Sequence, residues 1–260
     1  MTPAIGIDLG GTRIKALAYD LDSDETITTH SLLTRDGDKI DGSPAWRLAI
    51  RELVADWEAQ WARPAEVIGL STPGLSSKDA SSVACLPVKL KGIENFSWTN
   101  YLGRDDKVTV LNDAHAALLG EIWKGAAQGL SNVVLLTLGT GVGGAAVIDG
   151  QILKGHIGRG GHFGHISLDP DGPLDAVQTP GSLEDAIGEC TLPERSDGSF
   201  STTEDLIEAY LNGNSKARII FSRSVRALAA GVCSLINVLD PQVVLLGGGI
   251  TCAGDNLLTP

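Results

Sequence analysis

The sequence is short of positive charge: 20 lysines and arginines face 32 acids, a formal net charge of −12 over 260 residues. A nucleic-acid surface needs clustered basic side chains to displace counterions. No basic tract stands out, so nucleic acid is excluded as a partner. The chain also lacks an apolar run long enough to span a bilayer. Its first strand-like run, Ala4-Ile5-Gly6-Ile7, starts too early to leave room for a signal peptide, and no membrane partner is expected. Cysteine is scarce. Cys85, Cys190, Cys233 and Cys252 fall without CxxC spacing, and Cys233 lies in an apolar helical stretch, so buried reduced thiols and a cytoplasmic setting are expected. No GxxxxGK[ST] occurs, which excludes a Walker-type phosphate site.

What the chain has is core and turns. At 43% hydrophobic residues it can bury a sizeable interior, and its length suits one large domain or two lobes. Runs at Ile5–Leu9 and Ile14–Tyr19 read as a hairpin, and Val67–Leu70, Val108–Leu111, Val133–Leu138, Ala145–Ile148, Gln151–Leu153 and Val243–Leu246 as further strands. Ser43-Pro44 reads as cap and first turn of a helix whose stripe is Trp46, Ile50, Leu53, Val54, Trp57 and Trp61. A helix follows Asp113 and ends near Gly125, Ser182 caps a short helix, Thr202–Asp205 resembles a capping box, and a long helix covers Ser215–Leu239. Residues 76–106 read as irregular. No exact internal repeat is found, yet strand-turn-strand units at both ends point to two related α/β lobes.

Three glycine-rich turns follow apolar strands: Asp8–Lys15, Thr137–Gly144 and Leu246–Gly249. Such turns present bare backbone N–H groups, which suit phosphate oxygens. The second formally matches GxGxxG, but that fingerprint should open a helix, whereas Ala145–Ile148 reads as a strand, so a Rossmann site is rejected. Thr12 and Thr140 add hydroxyls to the first two turns, and Lys15 adds charge beyond the first. The third reads either as a plain strand-to-helix connection or as a turn close to an adenine or ribose. Asp8, in an otherwise apolar strand, is a hydrogen-bonded structural carboxylate or an outer ligand of Mg²⁺. Asp113, at a helix start, is a capping acid, a catalytic base, or both. His156, His162 and His165 fall within ten residues, but no third metal ligand follows at standard spacing. The role of Glu184 stays open on physical grounds.

Taken together, DLGGTRIK at 8–15, STPG at 71–74, LNDAHAALLGE at 111–121, TLGTGVGGA at 137–145, GHIGRGGHFGH at 155–165, GSLE at 181–184 and LINVLDPQVVLLGGG at 235–249 resemble the ROK family (repressors, open reading frames, kinases). The resemblance covers nearly the whole chain. It implies an α/β, two-lobed actin-like ATPase (ribonuclease H-like) fold with mixed sheets flanked by helices, divided into residues 1–112 and 113–260. It implies a glucokinase-like enzyme phosphorylating a hexose at its 6-hydroxyl with ATP and Mg²⁺, Asp113 being the general base. Gly74, Asn112, Asp113, His162, His165 and Glu184 would hold the sugar. Asp8, Gly10, Gly11, Thr12, Lys15, Gly139, Thr140 and Gly141 would serve the phosphates and their Mg²⁺, and Gly247, Gly248 and Gly249 the adenosine. The family is often dimeric. Fructose, mannose and N-acyl hexosamines are alternative substrates, and polyphosphate an alternative donor.

Three departures from the family pattern matter. His162 stands where the family usually has Glu in a Glu-x-Gly-His motif. A carboxylate accepts two hydroxyls and a neutral imidazole accepts one and donates one. That change points to altered sugar preference, or to a sugar-binding regulatory protein without catalysis. Many members also build a zinc site from the motif histidine and three cysteines, but those cysteine positions read Asp175, Val177 and Ser182. No zinc is expected, and the 169–182 loop is expected to be held by packing and by Pro170, Pro173 and Pro180. Finally, the sequence ends at Pro260, soon after the third turn, which is expected to leave that turn without its following helix.

Overall fold

The chain begins with a strand whose side chains alternate in burial, β1 (Pro3–Leu9), and returns antiparallel as β2 (Arg13–Asp20) with Asp8 opposite Lys15. The computed structural model describes residues 1–258. It divides into two compact units, Met1–Ala116 with His156–Arg159, and Ala117–Gly155 with Gly160 onward. By packing, the chain changes unit within the helix that starts at Asp113.

In the first unit, β3 (Glu25–Leu33) extends the meander antiparallel to β2. A helix, α1 (Ala45–Trp61), then leads to β4 (Val67–Thr72), parallel to β1, and β5 (Thr109–Asn112) lies parallel to β4. The sheet order is β3-β2-β1-β4-β5. Parallel pairing sets Asp8 beside Ser71 and Thr72 beside Asn112. The ends of three strands thus meet at one sheet edge, where open α/β sheets place their ligands. Trp46, Ile50, Leu53, Val54 and Trp57 of α1 are buried against the sheet, as the helical spacing predicts, and Trp61 is half-buried. Ser43 does not cap α1. It pairs with Ile40 in a two-residue ribbon, and Pro44 occupies the cap position without a side-chain hydrogen bond. Strand β3 was not read from the sequence, because its exposed edge carries no apolar alternation. Within the irregular 76–106 stretch, Trp98 is fully buried beside Trp46 (5.8 Å between rings) and edge-on to Phe96.

The second unit repeats the plan. After α2 (Asp113–Lys124) come β6 (Val133–Leu138), β7 (Val142–Ile148) and β8 (Gln151–Ile152), each antiparallel to the one before. The last strand, β9 (Val243–Gly247), lies parallel to β6, giving the order β8-β7-β6-β9. Helices α3 (Leu183–Ile187), α4 (Thr203–Leu211) and α5 (Ser215–Leu239) supply the second core through Leu183, Leu206, Ile220, Phe221, Val225, Leu228 and Leu235. Ser182 and Thr202 cap α3 and α4 through the N–H of Asp185 and Asp205, as read from the sequence, and Asn214 caps α5.

Two expectations fail here. All four cysteines are exposed, Cys233 included, because it projects from the outer side of α5. And α5 is, by length and composition, apolar enough to cross a membrane, with a mean hydropathy of 1.6 over its most apolar stretch. Its apolar side packs into the second core, which accounts for that composition without a bilayer.

Candidate active site

The first unit collects one group of predicted residues. Gly10 closes its turn with an N–H donated to the Arg13 carbonyl at 3.0 Å. Thr34, fully buried, then clamps the turn from β3's end: its N–H donates to Thr12 O (2.9 Å) and its hydroxyl to Gly10 O (2.6 Å). Those bonds engage the Gly10 and Thr12 carbonyls, and Thr12 itself is exposed. Lys15 sits in β2 opposite Asp8, not in the turn. The cation over the turn is Lys89, which sequence reasoning missed. A methyl placed on Gly11 would meet the Lys89 stem at 3.4 Å and its Nζ at 3.9 Å. No local motif announces it, since 78 residues separate the pair.

At the neighbouring strand ends, the Ser71 hydroxyl donates to Asp8 Oδ1 at 2.8 Å. Asn112 is buried and bridges two elements. Its Nδ2 donates to Gly74 O (3.0 Å), and its Oδ1 accepts the Ala114 N–H (3.0 Å). One Oδ1 lone pair remains for a ligand, the second amide hydrogen serving the neighbouring Asp113 carboxyl. Gly74 has φ +93°, and a Cβ there would lie 2.6 Å from the Cys85 carbonyl, so only glycine fits. Asp113 is the first residue of α2, and its Oδ1 also accepts the Ala114 N–H, at 2.8 Å. The residue keeps surface open to water. Even so, the protein around its carboxyl pushes it above the ordinary value of 3.8, the Asp8 charge adds to that push, and hydrogen bonds from Ala114 and Asn112 only partly oppose it. A carboxylate raised in this way is a better proton acceptor than a free one.

The second unit collects the other group. Gly139 donates its N–H to Gly141 O (3.0 Å), closing the second turn. Glu184, in the first turn of α3, accepts the Val142 N–H on Oε2 at 2.9 Å and packs so close to Gly141 that a side chain there would collide with it. The N–H groups of Glu189 and Cys190 donate to the carbonyls of Gly139 and Thr140 at 3.0 and 2.8 Å. The turn is therefore bracketed by the segment that carries Glu184, whose Oε1 remains available. His162 stands at the N-cap position of the 3-10 turn Phe163–His165. That turn packs on β7 because Gly144 and Gly164 leave room: a Cβ on Gly144 would lie 2.6 Å from Gly161 O, and one on Gly164 would collide with Val142 O. His165 is joined to Asp175, Nδ1 to Oδ2, at 2.8 Å. In the third turn, Gly248 has φ +93° and presses on the Leu138 carbonyl, which ties it to the second turn. A Cβ at Gly249, by contrast, would meet nothing within 4 Å. A 3-10 turn (Gly249–Ala253) and a one-turn helix (Asp255–Leu258) follow it.

Two mixed sheets flanked by helices, with glycine turns at their strand ends, are the mixed α/β architecture of solved ROK kinases and agree with the actin-like ATPase fold that the resemblance implies. The chain belongs to the ROK family, whose model matches residues 4–259, and is one of its sugar kinases. It is 32% identical to a glucokinase of Thermotoga maritima, over 98% of this chain and 84% of that enzyme. It is 31% identical to an N-acetylmannosamine kinase of Vibrio cholerae, over 96% of this chain and 84% of that enzyme. Among solved structures, a ROK hexokinase from Thermus thermophilus matches with a TM-score of 0.83 at 30% identity, over 98% of this chain and 86% of that one. A ROK family glucokinase from Streptomyces griseus, solved with glucose and AMPPNP, matches with a TM-score of 0.73 at 28% identity, with the same coverages.

Proposed function

We propose that the protein is a cytoplasmic ATP-dependent hexokinase, with glucose its leading substrate and the 6-hydroxyl the acceptor. The observation that carries this reading is Asp113, held at a helix start by the Ala114 N–H, with its carboxyl raised. As the sugar oxygen attacks the γ-phosphorus, its proton passes to the Asp113 carboxylate and ADP departs with the electron pair of the broken P–O bond. Late proton loss in a loose transition state suits a carboxylate. Asn112, His165 and Glu184 are assigned to ring hydroxyls, and His162 is also assigned to the sugar. The first two turns are assigned to phosphates and the third to adenosine. The AMPPNP held by the Streptomyces griseus relative supports ATP as donor.

Asp8 fits an outer-sphere role toward Mg²⁺. Its carboxylate is acceptor-only, keeps one oxygen beyond the Ser71 bond, and repels Asp113 in a way a divalent cation would offset. Bound there, Mg²⁺ would neutralise phosphate charge.

A second substrate reading, an N-acyl hexosamine, is supported by the near-equal identity to the Vibrio cholerae enzyme. Turnover of glucose, fructose, mannose and N-acyl hexosamines with ATP or polyphosphate, read by product mass, separates the two. Asp113→Asn is expected to lower kcat by at least a thousandfold while calorimetry still detects sugar binding; retained turnover would refute the assignment of the base.

A further inference from the structure

The loop between Ser167 and Ser182 has a tie that its sequence did not announce. Pairing joins Ser167 to Ser182 and Leu174 to Pro180, and the Gly181 N–H donates to Pro173 O at 2.7 Å. At its centre is the Asp175 side chain, with no solvent exposure. Oδ1 accepts the N–H groups of Val177 (2.9 Å) and Thr179 (2.8 Å), and Oδ2 meets His165 Nδ1 at 2.8 Å. Ser182, also buried, hydrogen-bonds the same carboxylate while capping α3. Burial alone would raise this carboxyl, but the hydrogen bonds from Thr179, His165, Val177 and Ser182 outweigh it and hold it below the ordinary range.

These are the positions at which the family resemblance puts a zinc. They do not fit one: Val177 has no donor atom, both Asp175 oxygens are engaged, and the Ser182 hydroxyl is committed to the carboxylate and to the helix cap. We infer that Asp175 takes the place of that metal as a positioning residue, binding the loop to His165 and fixing the neutral imidazole with its proton on Nδ1. A buried carboxylate accepting from one ring nitrogen sets the tautomer and leaves the other as an acceptor. His165 keeps 19% of its side chain exposed, so its ring stays reachable. Nε2 then accepts a sugar hydroxyl, a consequence that rests on the reading of His165 as a sugar contact.

The test is long-range ¹H–¹⁵N NMR of histidine-labelled protein near pH 8.5, about two units above the ordinary histidine value, with His165→Gln to assign the signal. Wild type is expected to show the Nδ1–H form. In Asp175→Asn, Oδ1 keeps its two backbone donors, the new NH₂ faces the ring, and the proton is expected to move to Nε2. The sugar KM is expected to rise on the order of tenfold with the ATP KM unchanged. If the tautomer flips but the sugar KM stays put, the positioning role stands and the sugar role of His165 falls. An Nε2–H form in wild type overturns the inference, and that measurement needs no variant to fold. Stoichiometric zinc in protein prepared from metal-stripped buffer, with a melting temperature lowered by its removal, would overturn it too.

Discussion

At the residue scale, the site depends on side chains whose other ends are already engaged. Asn112 and Glu184 each use polar atoms to hold backbone and keep others back, so loss of either disturbs position as well as contact. Lys89 differs. It is exposed, stands over Gly11, and its charge suits phosphate as a mobile point contact. Lys89→Ala is expected to raise the ATP KM several-fold, on the order of 1 kcal/mol, without changing the sugar KM or the melting temperature. Steady-state kinetics with each substrate varied in turn would check this, and an unchanged ATP KM would return Lys89 to the solvated surface.

At the element scale, the glycine turns have two kinds of glycine. Gly248 is required by the fold, since its positive φ and its approach to Leu138 O both forbid a side chain. Gly249 has open space. Gly248→Ala is expected to destabilise by on the order of 2 kcal/mol or more, and Gly249→Ala by under half that, read as shifts in the denaturation midpoint. Equal shifts would reject the distinction. The sequence shows three glycines in a row and cannot separate these cases, because the atom that decides is the carbonyl of residue 138. The same reasoning divides the legible from the hidden elsewhere. The apolar stripe of α1, the caps Ser182 and Thr202 and the bounds of α5 were legible because they depend on neighbours within four residues. Lys89 over Gly11 depends on a partner far along the chain, while strand β3, the ribbon that takes Ser43 and the Asp175 tie lie close in sequence to their partners but follow no apolar periodicity or cap signal. Asp113 was legible as an acid at a helix start. That its carboxyl is raised depends on the packing around it and on Asp8, more than a hundred residues earlier.

At the scale of the whole molecule, two hydrophobic clusters share no residue, one around Trp46, Ile50 and Leu70 and the other around Leu136, Phe221 and Leu228. Separate cores favour separate cooperative units. Four of the five tryptophans (Trp46, Trp57, Trp61, Trp98) lie in the first unit, and the longest helix, Ser215–Leu239, in the second. Denaturant unfolding followed by tryptophan emission and by far-ultraviolet circular dichroism is expected to give midpoints that differ. Coincident curves would mean that the cores melt as one.

The same uneven distribution of indoles gives the protein an internal gauge. A compound lodged against Gly74, Asn112 and Asp113 touches the half that fluoresces, so its arrival should shift the intrinsic signal with no dye attached. One confined to residues 139–144 meets the half whose single indole is Trp123, and should pass nearly unseen.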